Sequence, residues 1–358
     1  MYNPDYAIHP GEILEETLEA RGIKKNELAK RCGLAPKTIS QIINGKASIS
    51  PSIAIKLERA IGVSASIWTN LATDYDLYVA RLEDQERLES HKQWVKQFPL
   101  KQLIEWNILE KKKSLVDSLS DLLSFFGVSN IEAWEEQYLK QNIAYRKSQS
   151  FKSEIYHTAT WLRIGEILSE NNNCSAFDKN TFKSNLIDVR NSTRLPIDEL
   201  LKKMKQKCCD SGVSLVFVPE FPKTHISGAT KWLNKEKAMI ILSLRHKSDD
   251  HFWFSFFHEA AHILLHGKTD TFIDNFNAEK TKKEIEADEF ASNILIPPDN
   301  YKDFLKKGLY SKDTIKLFAD KLGIAPGIVV GRLQHDELVR YNWHNGLKRK
   351  FEFRNAPA

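Results

Sequence analysis

The sequence predicts a mainly α-helical protein with a smaller α+β part. Residues 8–80 place apolar side chains at helical spacing in short segments separated by glycines. Residues 85–170 continue as amphipathic helices rich in lysine and glutamate. Beyond residue 180, short apolar runs typical of strands precede further helices. We therefore expect three regions: residues 1–80, 81–175 and 176–358.

Composition and charge are those of an ordinary globular protein of the cytoplasm. The 358 residues allow two or three domains, and the net charge of +5 permits nucleic-acid binding without arguing for it. The sequence has no signal-peptide pattern and no apolar run long enough for a bilayer, so we expect no membrane partner. Its four cysteines form no CxxC pair and are expected to be reduced thiols.

Four short helices are predicted in the N-terminal region. Pro10 suits a first helical turn, and the apolar spacing that follows it stops at Gly22. The other three segments are Asn26–Cys32, Ala35–Asn44 and Pro51–Ile61. Each is followed by a glycine, the residue that most easily adopts the left-handed conformation at the end of a helix.

Residues 25–44 match the pattern of a helix-turn-helix. Ala29 is small where the two helices would cross, and Gly33 makes the turn between them. Leu28, Ile39 and Ile42 are the apolar residues expected in the seam. The alternative is a small helical bundle that binds no DNA, because the pattern alone is only moderately specific.

The second helix of this motif is predicted to present its polar face to a double-stranded DNA operator. The side chains on that face are short or amide-bearing and suit base edges in the major groove. They belong to Ala35, Pro36, Lys37, Ser40, Gln41 and Asn44. Lys25, which precedes them, and Lys46, which follows them, could hold phosphates.

The C-terminal region mixes strands and helices, whereas the middle region shows no identifiable chemistry. Three strands are predicted, at Val213–Val218, Ile226–Leu233 and Met239–Leu244, and a hairpin turn at residues 234–237 joins the last two. Helices are predicted at residues 250–266, 279–296 and 312–322. This mixture indicates an α+β domain.

The motif His258-Glu259-x-x-His262 is the strongest chemical signal in the sequence. Residues four apart lie on one face of a helix, so the two imidazoles can share one zinc ion. Glu259 can take a proton from water at the metal and pass it to a leaving amine. The neighbouring residues are apolar, and buried imidazoles beside a carboxylate need a strong partner such as a metal.

A third metal ligand is expected on a later helix. Glu284 and Asp288 are four residues apart and share a face, so Glu284 could bind zinc while Asp288 accepts the N–H of a ligand histidine. Glu286 is the rival ligand, although it lies about 200° away around the helix. Manganese or iron could also occupy such a site.

The remaining histidines near the motif are not expected to be ligands. His266 lies four residues beyond His262, so ligation is geometrically possible, but we expect it to pack or hydrogen-bond near the helix end. His225, His246 and His251 have no spacing that would recruit them and are expected at the surface. The sequence does not identify a residue that would stabilise an oxyanion.

Residues 9–75 resemble the Xre/lambda-repressor class and, within it, the HigA-like antitoxins. The resemblance rests on residues 9–14, 34–45 and 51–57, which include His9-Pro10-Gly11 and Asn44-Gly45. It implies a five-helix domain that binds a palindromic operator as a homodimer and regulates its own gene. A toxin is a further possible partner of such a protein.

The region from about residue 180 to 358 resembles the ImmA/IrrE family of metallopeptidases. The resemblance rests on the His258-to-His262 motif and on residues 284–291, 295–297, 227–232 and 323–334. It implies a gluzincin-like zinc site with His258, His262 and Glu284 as ligands and Glu259 as general base. Ala260-Ala261 inside the motif is a mild departure. The family cleaves helix-turn-helix repressors, and the strand at 227–232 could pair with an extended substrate as a sheet edge.

Two functions from different classes fit these features. The leading hypothesis is a DNA-binding transcriptional regulator fused to a zinc-dependent endopeptidase that cleaves a repressor protein or itself. The alternative is a non-catalytic antitoxin or repressor whose zinc domain senses or binds a partner such as a toxin. Glu259 favours the enzyme, because a structural zinc site needs no general base. In a third hypothesis the helix-turn-helix only recruits proteins, and salt-sensitive binding to duplex DNA would argue against it.

Overall fold

The computed structural model describes two compact units. The described residues are 7–139, 152–222, 224, 226–243, 245, 247–267, 272–275 and 281–352. Unit 1 comprises Met1–Lys92 with Ser114–Ser120, and unit 2 comprises Gln93–Lys113 with Asp121–Ala358. The domain limits at residues 80 and 175 stay predictions, and a continuous helix, Ala65–His91, spans the first of them.

Unit 1 contains the five helices that the resemblance implied. They are α1 (Pro10–Ala20), α2 (Lys25–Cys32), α3 (Pro36–Ile43), α4 (Pro51–Ile61) and α5 (Ala65–His91). The predicted helices are confirmed, with ends that differ by no more than one residue for α2 to α4. Their apolar stripes meet in one core, in which Leu14, Leu28, Ile39, Leu57 and Trp68 are fully buried.

The described part of the middle region is mainly helical, as predicted. Its helices are α6 (Leu100–Glu105), α7 (Leu115–Phe126), α8 (Ile131–Trp134) and α9 (Lys152–Glu170). Aromatic side chains hold together the residues of this region that belong to unit 2, because the rings of Trp94, Phe98, Phe126, Trp134 and Tyr156 form one connected cluster. Trp134 and Tyr156 stack with nearly parallel rings, and such a pair stabilises the fold beyond the contribution of apolar burial alone.

The rest of unit 2 is an α+β fold around one four-stranded sheet. Its strands are β1 (Val213–Phe217), β2 (Ile226–Asn234), β3 (Lys237–Leu242) and β4 (Phe272–Asn275). Its helices are α10 (Lys179–Arg190), α11 (Ile197–Asp210), α12 (Asp249–Leu265), α13 (Lys282–Leu295), α14 (Pro298–Leu305), α15 (Lys312–Leu322) and α16 (Pro326–His335). The three predicted strands and the hairpin between β2 and β3 are confirmed.

The order of strands corrects one expectation about the sheet edge. The order is β1-β3-β2-β4, with β1 parallel to β3 and β2 antiparallel to both of its neighbours. The expectation that the 227–232 strand offers a free edge is therefore wrong, since β4 pairs with it there. The four residues of β4 are too few to show a periodicity, and pairing with β2 defines the strand. Leu244, His225 and His246, which carried predictions, lie outside the described residues.

Helix α12 occupies the buried centre of unit 2. Most of its residues are buried, because it packs against β2 on one side and against α13 and α16 on others. Ion pairs tie the chain beyond α16 to the start of this helix, Lys348 to Asp250 at 2.6 Å and Arg349 to Asp249 at 3.3 Å. No helix in the described part of the chain is long and apolar enough to cross a bilayer.

Cys174 and Cys209 form a disulfide, so the expectation of four reduced thiols is wrong for this pair. The two residues are 35 positions apart, and no local pattern links them. The chain after α9 runs beside the end of α11, where Ser175 N–H donates to the carbonyl of Cys209 at 3.1 Å. Cys32 and Cys208 are free and buried.

Replacing Cys174 with serine is expected to lower the free energy of unfolding of unit 2 by about 2–4 kcal/mol, because the cross-link restricts the unfolded chain. Urea unfolding of the full chain under oxidising conditions measures this difference. The same comparison in excess dithiothreitol is the control, and there the native and variant curves should coincide. Coincident curves without the reductant would contradict the prediction.

Candidate helix-turn-helix and metal centre

Helices α2 and α3 form the helix-turn-helix of unit 1. Ala29 is fully buried where the helices cross, and Gly33 ends α2 with a φ of 61°. That left-handed conformation favours glycine. Leu34 N–H donates to the carbonyl of Ala29 at 2.9 Å and closes the turn. Ile39 and Ile42 are fully buried, so the opposite side of α3 is the exposed one.

The predicted DNA contacts lie on the accessible part of this motif. Lys25, Ala35, Pro36, Lys37, Asn44 and Lys46 are exposed, and Ser40 and Gln41 are partly exposed. Lys25 pairs with Glu15 at 2.5 Å, so a phosphate there would have to displace the Glu15 carboxylate. Asn44 Nδ2 donates to Ser40 Oγ at 3.3 Å, which links two of the predicted base contacts. All eight residues stay predicted contacts.

The structure brings the three predicted metal ligands together in unit 2. His258 Nε2 and His262 Nε2 are 3.1 Å apart. Glu284 places one carboxylate oxygen 3.0 Å from His258 Nε2 and the other 3.7 Å from His262 Nε2. One ligand atom from each of the three lies within 4.8 Å of the other two, so this group could hold a metal ion.

The electrostatics of this group suit a divalent cation. Burial lowers the pKa of His262, which favours the neutral imidazole that metals bind. Burial alone would raise the pKa of Glu284, but hydrogen bonds with His258 and His262 bring it to about 2. The carboxylate is therefore ionised at neutral pH. Two imidazole nitrogens and one carboxylate form a donor set that fits zinc.

Asp288 lies behind the first histidine, where the sequence placed it. Its Oδ1 is 2.9 Å from His258 Nδ1, on the side of the ring away from Glu284. A carboxylate in that place fixes the proton of the ring on Nδ1 and leaves the Nε2 lone pair for a metal. The role rests on α13, which carries Glu284 and Asp288 on one face four residues apart.

Glu259 of α12 is completely buried and packs against strand β2. Thr230 Oγ1 is 2.6 Å from Glu259 Oε2 and 3.0 Å from the carbonyl oxygen of the same residue. A Cβ on Gly228 would lie 2.7 Å from Glu259 Oε1, so glycine leaves the room that the carboxylate occupies. Sequence reasoning assigned no role to either residue. Their signal was the period of two, which places them on one face of β2.

The structure separates Glu286 from the ligand group. Its Oε2 is 3.2 Å from His266 Nε2, and His266 Nδ1 is 2.9 Å from His262 Nδ1. His266 thus hydrogen-bonds at the end of α12, as expected, and Glu286 contacts it in place of the metal site. His251, expected at the surface, is half-buried and lies 3.9 Å from Asp250.

Two family models match the chain, one in each unit. A model described as helix-turn-helix matches residues 14–68. A model described as an IrrE N-terminal-like domain, from the M78 peptidases, matches residues 211–334. The second range contains β1 to β4 and the whole of the proposed ligand group.

Curated relatives match about a fifth of the chain. Virulence-associated protein I of Dichelobacter nodosus is 40% identical over 80 residues, which are 22% of this chain and 74% of that protein. Antitoxin HigA-1 of Vibrio cholerae is 39% identical over 77 residues, 21% of this chain and 72% of that protein. The uncharacterised HTH-type transcriptional regulator YddM of Escherichia coli is 38% identical over 68 residues, which are 19% of this chain and 72% of that protein.

A solved structure of Pseudomonas aeruginosa antitoxin HigA with the higBA promoter is 34% identical. It covers 24% of this chain and 94% of that one, with a TM-score of 0.23. The two family models fall in the two units seen in the structure, and the curated relatives support the helix-turn-helix assignment. The chain therefore belongs to the HigA-like Xre-type helix-turn-helix regulators, and it joins that domain to an M78 metallopeptidase-like domain.

Proposed function

We propose that the chain is a DNA-binding transcriptional regulator fused to a zinc-dependent endopeptidase. The observation that supports this most directly is the group His258, His262 and Glu284, with Glu259 adjacent on α12. Three protein ligands leave the fourth position of a tetrahedral zinc site to water or substrate, as in catalytic sites. A site that only stabilises a fold is typically closed by four protein ligands.

In this mechanism the chain's own residues bind the metal and move one proton. A zinc ion held by the two histidines and Glu284 would polarise the scissile carbonyl and lower the pKa of water. Glu259 takes a proton from the attacking water and delivers it to the leaving amine nitrogen. Thr230 donates a hydrogen bond to the carboxylate of Glu259 and fixes its orientation during both transfers.

The other half of the proposal is operator binding through α3. The exposed face of this helix would enter the major groove of duplex DNA, with Gln41 reading base edges and Lys46 holding a phosphate. Binding as a homodimer would give two such helices and match a palindromic operator. A protein that binds chromosomal DNA would act in the cytoplasm.

The proposed substrate is a helix-turn-helix repressor or the chain's own linker. The fusion supports this choice, because a repressor-type domain and a peptidase-type domain occur on one molecule. Cleavage would remove a DNA-binding domain from its partner domain and release the genes that it controls. The intact chain would regulate its own operator until that event.

A non-catalytic antitoxin is the second candidate. Its support is the 39% identity to antitoxin HigA-1 of Vibrio cholerae over most of that protein. In this function the metal domain would bind or sense a partner, such as a toxin, and no peptide bond would be cleaved. The burial of Glu259 against Thr230 favours the peptidase, since a sensor has no use for a positioned carboxylate next to its ligands.

Proteolysis by the zinc-loaded full-length chain tests the leading proposal. The chain is incubated alone and with candidate helix-turn-helix repressors, and fragments are identified by mass spectrometry. Chain treated with a chelator is the matched control. A fragment that needs zinc would support the peptidase and locate the cleaved bond. Intact proteins, with zinc bound and DNA binding retained, would favour the non-catalytic antitoxin.

Replacing Gln41 with alanine is expected to weaken binding to the selected operator by about 5- to 150-fold, the equivalent of 1–3 kcal/mol per lost base contact. Replacing Lys46 with alanine should instead weaken binding to all duplexes and reduce the salt slope by about 1. Fluorescence anisotropy on an operator selected from random duplexes measures both. Arg59→Ala, an exposed charge near the end of α4, is the control and should bind as the native chain does.

If the Gln41 variant lost affinity equally for the operator and for random DNA, that result would contradict base reading by this residue. Binding that does not respond to salt would contradict the DNA-binding function itself.

A further inference from the structure

Two side chains, those of His266 and Glu286, continue the hydrogen bonding of the ligand histidine His262 away from the ligand group. Its Nε2 faces the ligand group, and its Nδ1 lies 2.9 Å from Nδ1 of His266. Nε2 of His266 lies 3.2 Å from Oε2 of Glu286 on α13. The side chains of His262, His266 and Glu286 therefore form a hydrogen-bonded line from the ligand group to α13.

The proton positions in this line are fixed by chemistry. A neutral imidazole that offers Nε2 to a metal carries its proton on Nδ1. The Nδ1–H of His262 then donates to Nδ1 of His266, so the proton of His266 is on Nε2. That Nε2–H faces the carboxylate of Glu286, which can only accept.

The reverse direction fails at both ends. If His266 donated from Nδ1, His262 would carry its proton on Nε2 and turn that N–H toward the ligand group. In a neutral His266 the bare Nε2 would then face the carboxylate of Glu286, with two acceptors 3.2 Å apart. Only the direction from His262 through His266 to Glu286 pairs a donor with an acceptor at each contact and leaves a lone pair for a metal.

The surroundings keep His266 in this position. Its side chain is only 3% exposed, although it is the residue after the last turn of α12. Its backbone N–H donates to the carbonyl of His262 at 3.1 Å, which ties the two rings to one turn. Glu286 is 43% exposed, and its other oxygen lies 3.7 Å from Lys282 Nζ. The line thus ends at a carboxylate that is open to solvent and close to a lysine.

We propose that His266 and Glu286 are positioning residues that hold His262 in the tautomer and orientation needed for metal binding. The inference rests on the proposed zinc site and extends it. His258 has one carboxylate directly behind it, Asp288, whereas His262 reaches its carboxylate through a second imidazole. Glu286, the rival ligand from the sequence, acts through His266 and does not bind the metal.

Zinc affinity of the full-length chain, measured by competition with a chromogenic chelator, tests the proposal without any peptidase assay. His266→Phe is expected to weaken zinc binding by about 10- to 100-fold, as expected when the group behind a ligand histidine is lost. His266→Gln offers an amide oxygen to the Nδ1–H of His262 and should recover most of that loss. Glu289→Ala, an exposed carboxylate on the same helix, is the matched control for Glu286→Ala.

The double variant separates positioning from ligation. Because Glu286 acts through His266, Glu286→Ala should weaken zinc binding less than His266→Phe, and the two changes together should be no worse than His266→Phe alone. The absorption spectrum of bound Co²⁺ should shift in His266→Phe and stay unchanged in Glu289→Ala. Melting temperatures of the metal-free proteins show that each variant is folded.

Each outcome bears on a different statement. If the native chain binds zinc and folded His266→Phe and His266→Gln bind it equally well, the positioning role is overturned and the zinc site stands. If Glu286→Ala weakens zinc binding more than His266→Phe does, Glu286 is a ligand. The proposal that Glu286 acts through His266 is then wrong. If the native chain binds no zinc, the proposed zinc site is overturned together with the positioning role.

Discussion

Replacing Glu259 with glutamine is expected to slow peptide-bond cleavage by about 100- to 10,000-fold while zinc stays bound, the range that a lost general base produces. Glutamine has the same shape and can still accept the hydrogen bond from Thr230, so the buried site keeps its packing. It cannot take up the proton of the attacking water. The substitution should therefore lower the rate of the chemical step and leave metal binding unchanged.

Single-turnover cleavage of the identified substrate, with zinc content measured on the same sample, checks this prediction. Glu289→Gln makes the same change at an exposed position of α13 and should cleave at the native rate. Cleavage by the Glu259 variant within about threefold of the native rate would remove this residue from the role of general base. Loss of zinc from the variant would show a structural effect and would also contradict the prediction.

Replacing Gly11 with alanine is expected to destabilise unit 1 by at least about 1–3 kcal/mol, the usual cost of overpacking, and to abolish operator binding. Gly11 is buried in the first turn of α1. A Cβ there would lie closer than 3.0 Å to the carbonyl oxygen of Ile42 in α3 and to Nδ1 of His9. A backbone oxygen cannot rotate away, so α3 itself would have to move.

The sign of this effect is decided by two opposing contributions. Alanine favours a helix over glycine by about 1 kcal/mol, which would stabilise α1 if there were space. The steric overlap with α3 acts against it and displaces the helix that carries the predicted base contacts. Glu16→Ala on the exposed side of α1 is the control, because it also introduces an alanine into this helix but creates no steric overlap. Its effect on stability should stay within about 0.5 kcal/mol.

Urea unfolding of the full chain, followed by circular dichroism together with operator binding, measures both consequences. The transition of unit 1 should shift to lower urea in Gly11→Ala, and the transition of unit 2 should not. A native-like transition with native DNA affinity would mean that α1 and α3 can separate without cost, contrary to the packing seen in the structure.

The local features of this protein could be predicted from short stretches of its sequence. The spacing of His258 and His262 placed both rings on one helix face, because a helix brings residues four apart together. The glycines after α2 and α4 marked the helix ends, since left-handed backbone favours glycine. Short-range backbone geometry sets these relations, so neighbouring residues suffice to predict them.

Contacts between residues far apart in the sequence could not be predicted in this way. The contact of Glu284 and Asp288 with α12 depends on how α13 packs, and the sequence alone left Glu286 as a rival. The positions of Gly228 and Thr230 against Glu259 depend on the register of β2. The edge strand β4 and the disulfide likewise join segments that share no local pattern. Such contacts follow from the packing of whole elements around a common core, and this packing is not encoded within one helical turn or one strand.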